Sequence, residues 1–279
     1  MLGAIYGDIA GSRFELGQRE VDYDSKLFLP GSSFTDDTLM TLAVAEALVL
    51  TNKDRSNYQT VLIQKMKEIA QKYPNVNWGV RFYNWLFIQT KPVPMNSFGN
   101  GAAMRISPVG WVCNTLEKTI ELSRLTTEIS HNHPEGIKGA ESIAVAIFMA
   151  RTGCSKEQIK EKMIEYYPEL KTMSIERLKN SGYGLDESGK WVTCQGSVPQ
   201  SICAFLESSS FEDAVRKALS LGADTDTQGC MTGSIAEAYY GLSYAVEDQI
   251  LEFLPDDLKT TYFAFNFIKR KRVENIAHK

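Results

Sequence analysis

Apolar residues recur at the spacing of an α-helix along most of this chain. The segment that starts at Tyr58 and the segment 211–219 each place their apolar residues on one helical face. Two further stretches, 39–50 and 137–150, are apolar on all sides and predict helices buried in the centre of a domain. Alternating strand patterns are nearly absent. The pattern therefore predicts an all-α fold, a single compact multi-helix domain over residues 1–279 with roughly ten helices.

Three segments interrupt the helical pattern. They are a long link at 16–34, a Gly/Asn/Ser-rich connection at 92–108 and a glycine-rich excursion at 172–199. Loops of this length in a compact domain are usually functional or disordered. The first two carry short polar runs beside apolar helices, and we expect them to be functional.

Composition limits the classes of function. The chain has 279 residues and a net charge of -4, which argues against a general nucleic-acid binder that works by phosphate neutralisation. Because the net charge is negative, an anionic substrate would need hydrogen-bond donors at its site, or bound cations, to offset the repulsion. The five cysteines are odd in number and contain no CxxC pair, which indicates reduced thiols. No signal peptide or membrane span is recognisable, so we expect a cytoplasmic protein without a membrane partner.

A first acidic cluster stands immediately before the apolar stretch 39–50, in the run FTDDT at 34–38. One interpretation is that Thr35 or Asp36 caps a helix N-terminus. A cap needs one side chain, however, and two adjacent carboxylates entering an apolar helix are costly unless something cationic compensates.

A second cluster, GADTDT at 222–227, leads into a predicted helix rich in small residues. In an extended segment Asp224 and Asp226 would point to one side, and Thr227 could add an oxygen. Carboxylate and hydroxyl oxygens suit Mg²⁺, Mn²⁺ or Ca²⁺, and four or five acids would suit a pair of ions. The alternative is two independent capping motifs on a solvated surface.

A third element is the N-terminal run GDIAGSRFE at 7–15. If this run is helical, Asp8 and Glu15 lie on one face, two turns apart. Gly3, Gly7 and Gly11 form a neighbouring stripe that would let the helix pack closely against a neighbour.

Five segments in this order resemble the signature of the ADP-ribosylglycohydrolase family: GDIAGSRFE, FTDDTLM, SFGNGAAMR, SHNHPEGIKGA and GADTDT. The resemblance extends from Gly3 to about Gly241. It implies an all-α domain with two Mg²⁺ or Mn²⁺ ions in a cleft, and it matches Glu15 with a mobile glutamate near the ribose and the metals. The metal ligands that it implies are Thr35, Asp36, Asp37, Asp224, Asp226 and Thr227. One departure is Gly222-Ala223-Asp224, where many relatives have Gly-Gly-Asp.

The Gly-rich run 97–104 enters an apolar stretch. Glycines let the backbone approach a pyrophosphate, and successive N–H groups can cradle it without formal charge. An ordinary turn is the alternative, but the resemblance assigns this loop to ADP-ribose, and Phe98 offers an aromatic face. The substrate-binding residues expected here are Ser97, Phe98, Gly99, Asn100, Gly101 and Met104.

Two of the three histidines, His131 and His133, precede the apolar stretch 137–150. The resemblance suggests that His131 lies near the adenosine end of the ligand, and we include His133 in the predicted substrate site. Each could instead be a core or cap residue. Arg105 could contact phosphate or lie on the surface of a helix.

These motifs predict a metal-dependent hydrolase that cleaves at ribose C1″ and releases ADP-ribose from a protein, small-molecule or nucleobase conjugate. Asp224 or Asp36 would orient or activate the water, and Glu15 would gate the site or assist proton transfer. The rivals are a two-metal phosphoesterase or pyrophosphatase, and a catalytically silent ADP-ribose-binding protein. The sequence does not indicate the acceptor atom.

Overall fold

Helices account for nearly all regular structure in the computed structural model, which describes residues 1–15, 25–184 and 189–277, with side chains to residue 270. Within these ranges no strand forms, and a single isolated bridge joins Gly99 to Thr193. The α-helices are α1 (Leu2–Gly11), α2 (Asp36–Leu50), α3 (Tyr58–Lys72), α4 (Val80–Tyr83), α5 (Gly101–Met104), α6 (Ser107–Val112), α7 (Leu116–Thr127), α8 (Pro134–Arg151), α9 (Lys156–Tyr166), α10 (Ile175–Asn180), α11 (Cys194–Leu206), α12 (Phe211–Leu219), α13 (Thr225–Tyr240), α14 (Tyr244–Leu251) and α15 (Asp256–Ala277).

The all-α prediction is confirmed, but the described ranges hold fifteen α-helices rather than roughly ten. Four of them, α4, α5, α6 and α10, have only four to six residues. A helix of fewer than two turns leaves no periodic apolar pattern in the sequence. A π-helix at Asn84–Ile88 and 3₁₀-helices at Pro168–Lys171 and Lys190–Val192 complete the regular elements.

Helix α13 lies at the centre of the molecule and packs against α1, α2, α8, α11 and α12. The two segments that are apolar on all sides form α2 and α8, and most residues of both helices are buried. Their predicted place at the centre of the domain is confirmed.

Helices α1 and α13 touch backbone to backbone. A Cβ atom built on Gly7 would lie 1.9 Å from the carbonyl oxygen of Gly229, and one on Gly3 would lie 2.1 Å from that of Gly233. Near Gly11 the neighbours are the backbone atoms of Thr225 and Asp226. The predicted role of the glycine stripe is confirmed, because any side chain at these positions would force the helices apart.

The start of α1 is also held by a buried hydrogen bond. The Met1 amine donates to Glu237 on α13, and Lys269 on α15 reaches the other carboxylate oxygen at 2.7 Å. Burial lowers the pKa of the Met1 amine to about 5.

Two of the three predicted connections contain more helix than expected. Residues 92–108 include α5 and the first turn of α6, and residues 172–199 include α10 and the start of α11. Of the link 16–34, residues 16–24 lie outside the described ranges.

The five cysteines are free and four are buried, as the thiol prediction requires. None of the described helices combines the length and the apolar run that a bilayer crossing requires.

Candidate metal centre

Three chain segments far apart in sequence bring carboxylates to one place. Asp8 lies on α1, Asp37 in the first turn of α2, and Asp226 in the first turn of α13. The close contact of α1 with α13 holds two of these segments together, because Gly11 packs directly on Asp226.

The carboxylates form two groups of three, and each group has its ligand atoms within 4.8 Å of one another. The first carboxylate cluster is Asp8, Asp37 and Asp226, and all three are buried. The second carboxylate cluster is Glu15, Asp224 and Asp226, in which Glu15 is half-buried. Asp226 belongs to both, so the two clusters adjoin.

Hydrogen bonds from the start of α2 orient Asp8. Its carboxylate accepts from the Thr35 amide at 2.9 Å, the Thr35 hydroxyl at 2.7 Å and the Thr38 amide at 3.0 Å. Thr35 also caps α2, since its hydroxyl accepts from the Asp37 amide at 3.2 Å. The capping interpretation is therefore correct, and the same residue also contacts the first carboxylate cluster.

Asp37 retains an unused acceptor inside the protein. Thr227 donates its hydroxyl to Asp37 Oδ2 at 3.2 Å, whereas Asp37 Oδ1 is buried and has no hydrogen-bond partner among the described residues. A buried acceptor without a donor is rare and costly. A bound cation would satisfy this oxygen.

The charge of the site also favours cations. Burial, followed by the neighbouring carboxylates, raises the pKa of Asp37 and Asp226 well above the usual range, and raises that of Asp36 to about 8. No lysine or arginine forms an ion pair with these acids in the described part of the chain. Within the described residues, protons or metal ions are left to neutralise these acids, and this set of hard oxygens fits Mg²⁺ or Mn²⁺.

Three acids differ in place from the sequence-based expectation. Asp36, a predicted ligand, belongs to neither cluster, although Asp8 and Asp224 are close enough to raise its pKa. Asp8 was not among the predicted ligands, yet it lies in the first cluster; an aspartate in a wholly apolar helix was the available signal. Glu15 does not share a helical face with Asp8, because α1 ends at Gly11. The turn after α1 instead brings Glu15 to Asp224.

The Gly-rich loop is attached to the second carboxylate cluster through Asn100. The side-chain nitrogen of Asn100, Nδ2, donates to Asp224 Oδ2 at 2.6 Å and to the hydroxyl of Ser197 at 3.2 Å. Asn100 is buried and its side chain already has these partners. It therefore couples the loop to Asp224.

Only part of the loop's backbone is free to receive a ligand. The Gly99 amide donates to the Ser97 hydroxyl at 3.2 Å, and the Asn100 amide to the Val192 carbonyl at 2.9 Å. The amides of Gly101 and Ala102, in the first turn of α5, have no such partner among the described residues. The amides of Ser97 and Phe98 are likewise without a partner among the described residues, so the loop offers four free backbone donors.

The remaining predicted substrate residues divide between the surface and the interior. Phe98 is 44% exposed, and its ring centre lies 5.3 Å from that of His133. Met104 is buried, and its sulfur lies 4.0 Å from the Thr227 hydroxyl. His133 caps α8, because its Nδ1 accepts from the Glu135 amide at 3.1 Å.

His131 is buried beside the loop, and a Cβ atom on Gly101 would lie 3.2 Å from its Nε2. Arg105, expected on the surface or at a phosphate, is fully buried below the loop. Its guanidinium donates to the Gly101 carbonyl at 3.1 Å and to the Ser130 hydroxyl at 2.8 Å. The surface interpretation of Arg105 is therefore wrong, and its two terminal nitrogens are used inside the protein.

The Ala223 departure has a conformational consequence. Gly222 and Ala223 both adopt left-handed backbone, with φ of 71° and 65°, immediately before Asp224. Glycine adopts this conformation freely, whereas alanine does so at a cost of roughly 1–2 kcal/mol. The methyl group therefore adds backbone strain and removes no carboxylate.

The chain matches the model of the family described as ADP-ribosylglycohydrolase over residues 1–278. It belongs to that family.

Individual relatives are distant but cover most of the chain. It is 27% identical to the mouse protein "ADP-ribosylhydrolase ARH3" across 88% of this chain and 84% of the relative. It is 24% identical to "ADP-ribosylarginine hydrolase Tri1" of Pseudomonas putida, across 87% and 70% respectively. A solved structure titled "ADP-ribosylglycohydrolase-related protein complex" has the same fold, with a TM-score of 0.67 and 22% identity over 96% of this chain and 97% of that one.

Proposed function

We propose that this protein hydrolyses the glycosidic bond at ribose C1″ of an ADP-ribosylated substrate and releases intact ADP-ribose. The observation that carries the proposal is the pair of adjoining carboxylate clusters that share Asp226. Every acidic position of both predicted metal motifs is present and lies in or beside these clusters. This favours an enzyme over a silent binding protein, which would have no need to keep so costly a set of buried acids.

Two Mg²⁺ or Mn²⁺ ions would complete the site. Asp8, Asp37 and Asp226 would hold one ion, and Glu15, Asp224 and Asp226 the other, with hydroxyl oxygens from Thr35 and Thr227 nearby. Such ions supply positive charge and coordination for a cis-diol, here the 2″ and 3″ hydroxyls of the ribose.

Proton transfer would fall to the acids at the edge of the site. Burial raises the pKa of Asp224, and the hydrogen bond from Asn100 offsets part of that rise, which suits this carboxylate to orient or activate water. Glu15 and Asp36 are half-buried, whereas the other four acids are buried. Glu15 can therefore reach the bond being cleaved and assist the proton transfer to the leaving acceptor.

The diphosphate would lie along the Gly-rich loop. The free amides of Gly101 and Ala102 and the Nε2 atom of His131 face this loop without a protein partner. They provide donors without adding formal charge, which suits an acidic protein that binds an anion. The exposed ring of Phe98 is available to a base or ribose.

The acceptor of the ADP-ribose is open within this proposal. One relative is named for arginine-linked ADP-ribose, and the other's name specifies no acceptor. A panel of conjugates through arginine, serine, an O-acetyl ester and a nucleobase nitrogen, analysed by mass spectrometry, identifies the preferred linkage.

The bond itself is tested by hydrolysis in H₂¹⁸O. We expect intact ADP-ribose with the label at C1″, and we expect free ADP-ribose to inhibit as a product. Release of AMP, or label on phosphate, would instead indicate a phosphoesterase with the same metal centre.

A further inference from the structure

Arg105 is a buried cation without a carboxylate partner among the described residues. It donates to the carbonyls of Gly101 and Thr126 and, at 2.8 Å, to the hydroxyl of Ser130. Its guanidinium carbon also lies 5.6 Å from the ring centre of Phe82. Burying an arginine without an anion is costly, so a specific use of its fixed donors is expected.

The hydrogen bonds around Ser130 have a defined direction. A guanidinium can only donate, so Ser130 Oγ accepts from Arg105. The same Oγ lies 2.8 Å from His131 Nδ1. Ser130 is fully buried, and Nδ1 is the only acceptor for its hydroxyl proton among the described residues. The hydroxyl therefore donates to Nδ1, and the neutral ring carries its proton on Nε2.

The protonated nitrogen faces the Gly-rich loop. An ideal Cβ atom on Gly101 would lie 3.2 Å from Nε2, which is tighter than an ordinary contact, and one on Gly99 would lie 3.9 Å away. Nε2 is therefore next to the loop backbone, and a side chain at Gly101 would crowd it. Nε2 makes no hydrogen bond to any described residue, and it lies beside Gly101, whose amide is also free. A ligand oxygen in this loop would be its acceptor.

We propose that Arg105 and Ser130 are positioning residues that fix His131 as the Nε2–H tautomer, so that the loop presents an uncharged donor to an acceptor oxygen of the ligand. The identity of that ligand, a phosphate or hydroxyl group of ADP-ribose, rests on the proposed function. Burial, followed by the charges of Arg105 and Arg81, also keeps the pKa of His131 well below its usual range, so the ring stays neutral.

The tautomer can be read directly by long-range ¹⁵N–¹H correlation of the Mg²⁺-loaded protein, labelled at its three histidines. His131 is assigned by loss of its signals in His131→Asn. The wild type should show the Nε2–H pattern, and Ser130→Ala should lose it. Ser123→Ala is the matched control, because that hydroxyl is equally buried but has no hydrogen-bond partner in the part of the chain that the structure describes. It should leave the pattern unchanged.

An Nδ1–H pattern in the wild type, or an unchanged Nε2–H pattern in Ser130→Ala, would overturn the proposal. If Ser130→Ala does not fold, the wild-type spectrum still decides, and Ser130→Thr should keep the Nε2–H pattern because it keeps the hydroxyl. Ser130→Ala should also weaken ADP-ribose binding roughly tenfold in calorimetry. If no ADP-ribose binds to the wild type while the tautomer behaves as expected, the proposed function fails and the positioning role stands.

Discussion

Single side chains in the metal centre differ in how many carboxylate clusters they serve and in how much solvent reaches them. Asp226 contributes to both clusters and is buried, whereas Glu15 contributes to one and is half-buried. The two residues should therefore respond differently to substitution.

Asp226→Asn should abolish cation binding and turnover together, because it removes a charged ligand from both clusters. We expect cation affinity to fall at least about a hundredfold, since even outer partners of metal ligands cost that much. Calorimetry with Mg²⁺ and a turnover assay measure the two effects. The exposed Asp256→Asn removes the same charge elsewhere and should change neither. Retained cation binding in Asp226→Asn would contradict this assignment of the ligands.

Glu15→Gln should reduce turnover more than cation affinity. The first carboxylate cluster is intact in this variant, and Glu15 lies at the half-buried edge where it can assist proton transfer. We expect a loss in kcat of roughly a hundredfold, with a loss of cation affinity smaller than that. Unchanged kcat would show that Glu15 takes no part in proton transfer.

The elements that carry the ligands are held in place by the packing of α1 against α13. This contact places Asp8 and Asp226 on adjacent backbones, and it depends on Gly7 and Gly229 having no side chain. A change in the separation of the two helices would alter both carboxylate clusters without removing any ligand.

Gly7→Ala should destabilise the protein by roughly 3 kcal/mol, the upper range for overpacking in a core. Its new methyl group would lie 1.9 Å from the Gly229 carbonyl oxygen. Denaturant unfolding measures the loss, and Mg²⁺ titration of the folded variant should show weaker binding. Gly79→Ala is the control, because no described residue apart from its chain neighbours lies within 4 Å of an ideal Cβ there and its φ is -56°. Equal stabilities of the two variants would contradict the packing argument.

At the scale of the whole molecule, the metal centre sets how stability depends on pH. Without cations, the raised pKa values of Asp36, Asp37 and Asp226 mean that the folded chain binds more protons than the unfolded chain. Stability then falls as pH rises. The Met1 amine, with its pKa lowered to about 5, and His131 have the opposite effect. Burial also raises the pKa of Asp8, Glu15 and Asp224, so these two groups oppose six acids.

We expect the melting temperature in EDTA to fall between pH 6.5 and pH 8, where the raised pKa of Asp36, about 8, is crossed. His131 opposes this decrease only towards pH 6.5, because its lowered pKa matters while the unfolded histidine still binds protons. Saturating Mg²⁺ should raise the melting temperature and abolish the decrease, because cations replace protons on the carboxylates. Scanning calorimetry at several pH values measures this. A melting temperature that rises with pH in EDTA would contradict the prediction.

The sequence determined the helices of this protein and the residue types of its site. Helical periodicity is a local property, so α2, α3, α8 and α12 could be predicted from segments of nine to eighteen residues. The two Thr/Asp motifs predicted a metal site with carboxylate and hydroxyl ligands, because paired carboxylates beside an apolar helix have few other uses. Helices shorter than two turns escaped the prediction, since they carry no period.

Tertiary structure alone decided which oxygens meet. Asp8, Asp37 and Asp226 are brought together by packing of α1, α2 and α13, a long-range effect that no local pattern contains. The same packing placed Asp36 outside both clusters. It also buried Arg105, because the direction of a side chain depends on the neighbours that surround it. The direction of the hydrogen bonds at His131 also follows from those neighbours, so it could not be predicted from the local sequence.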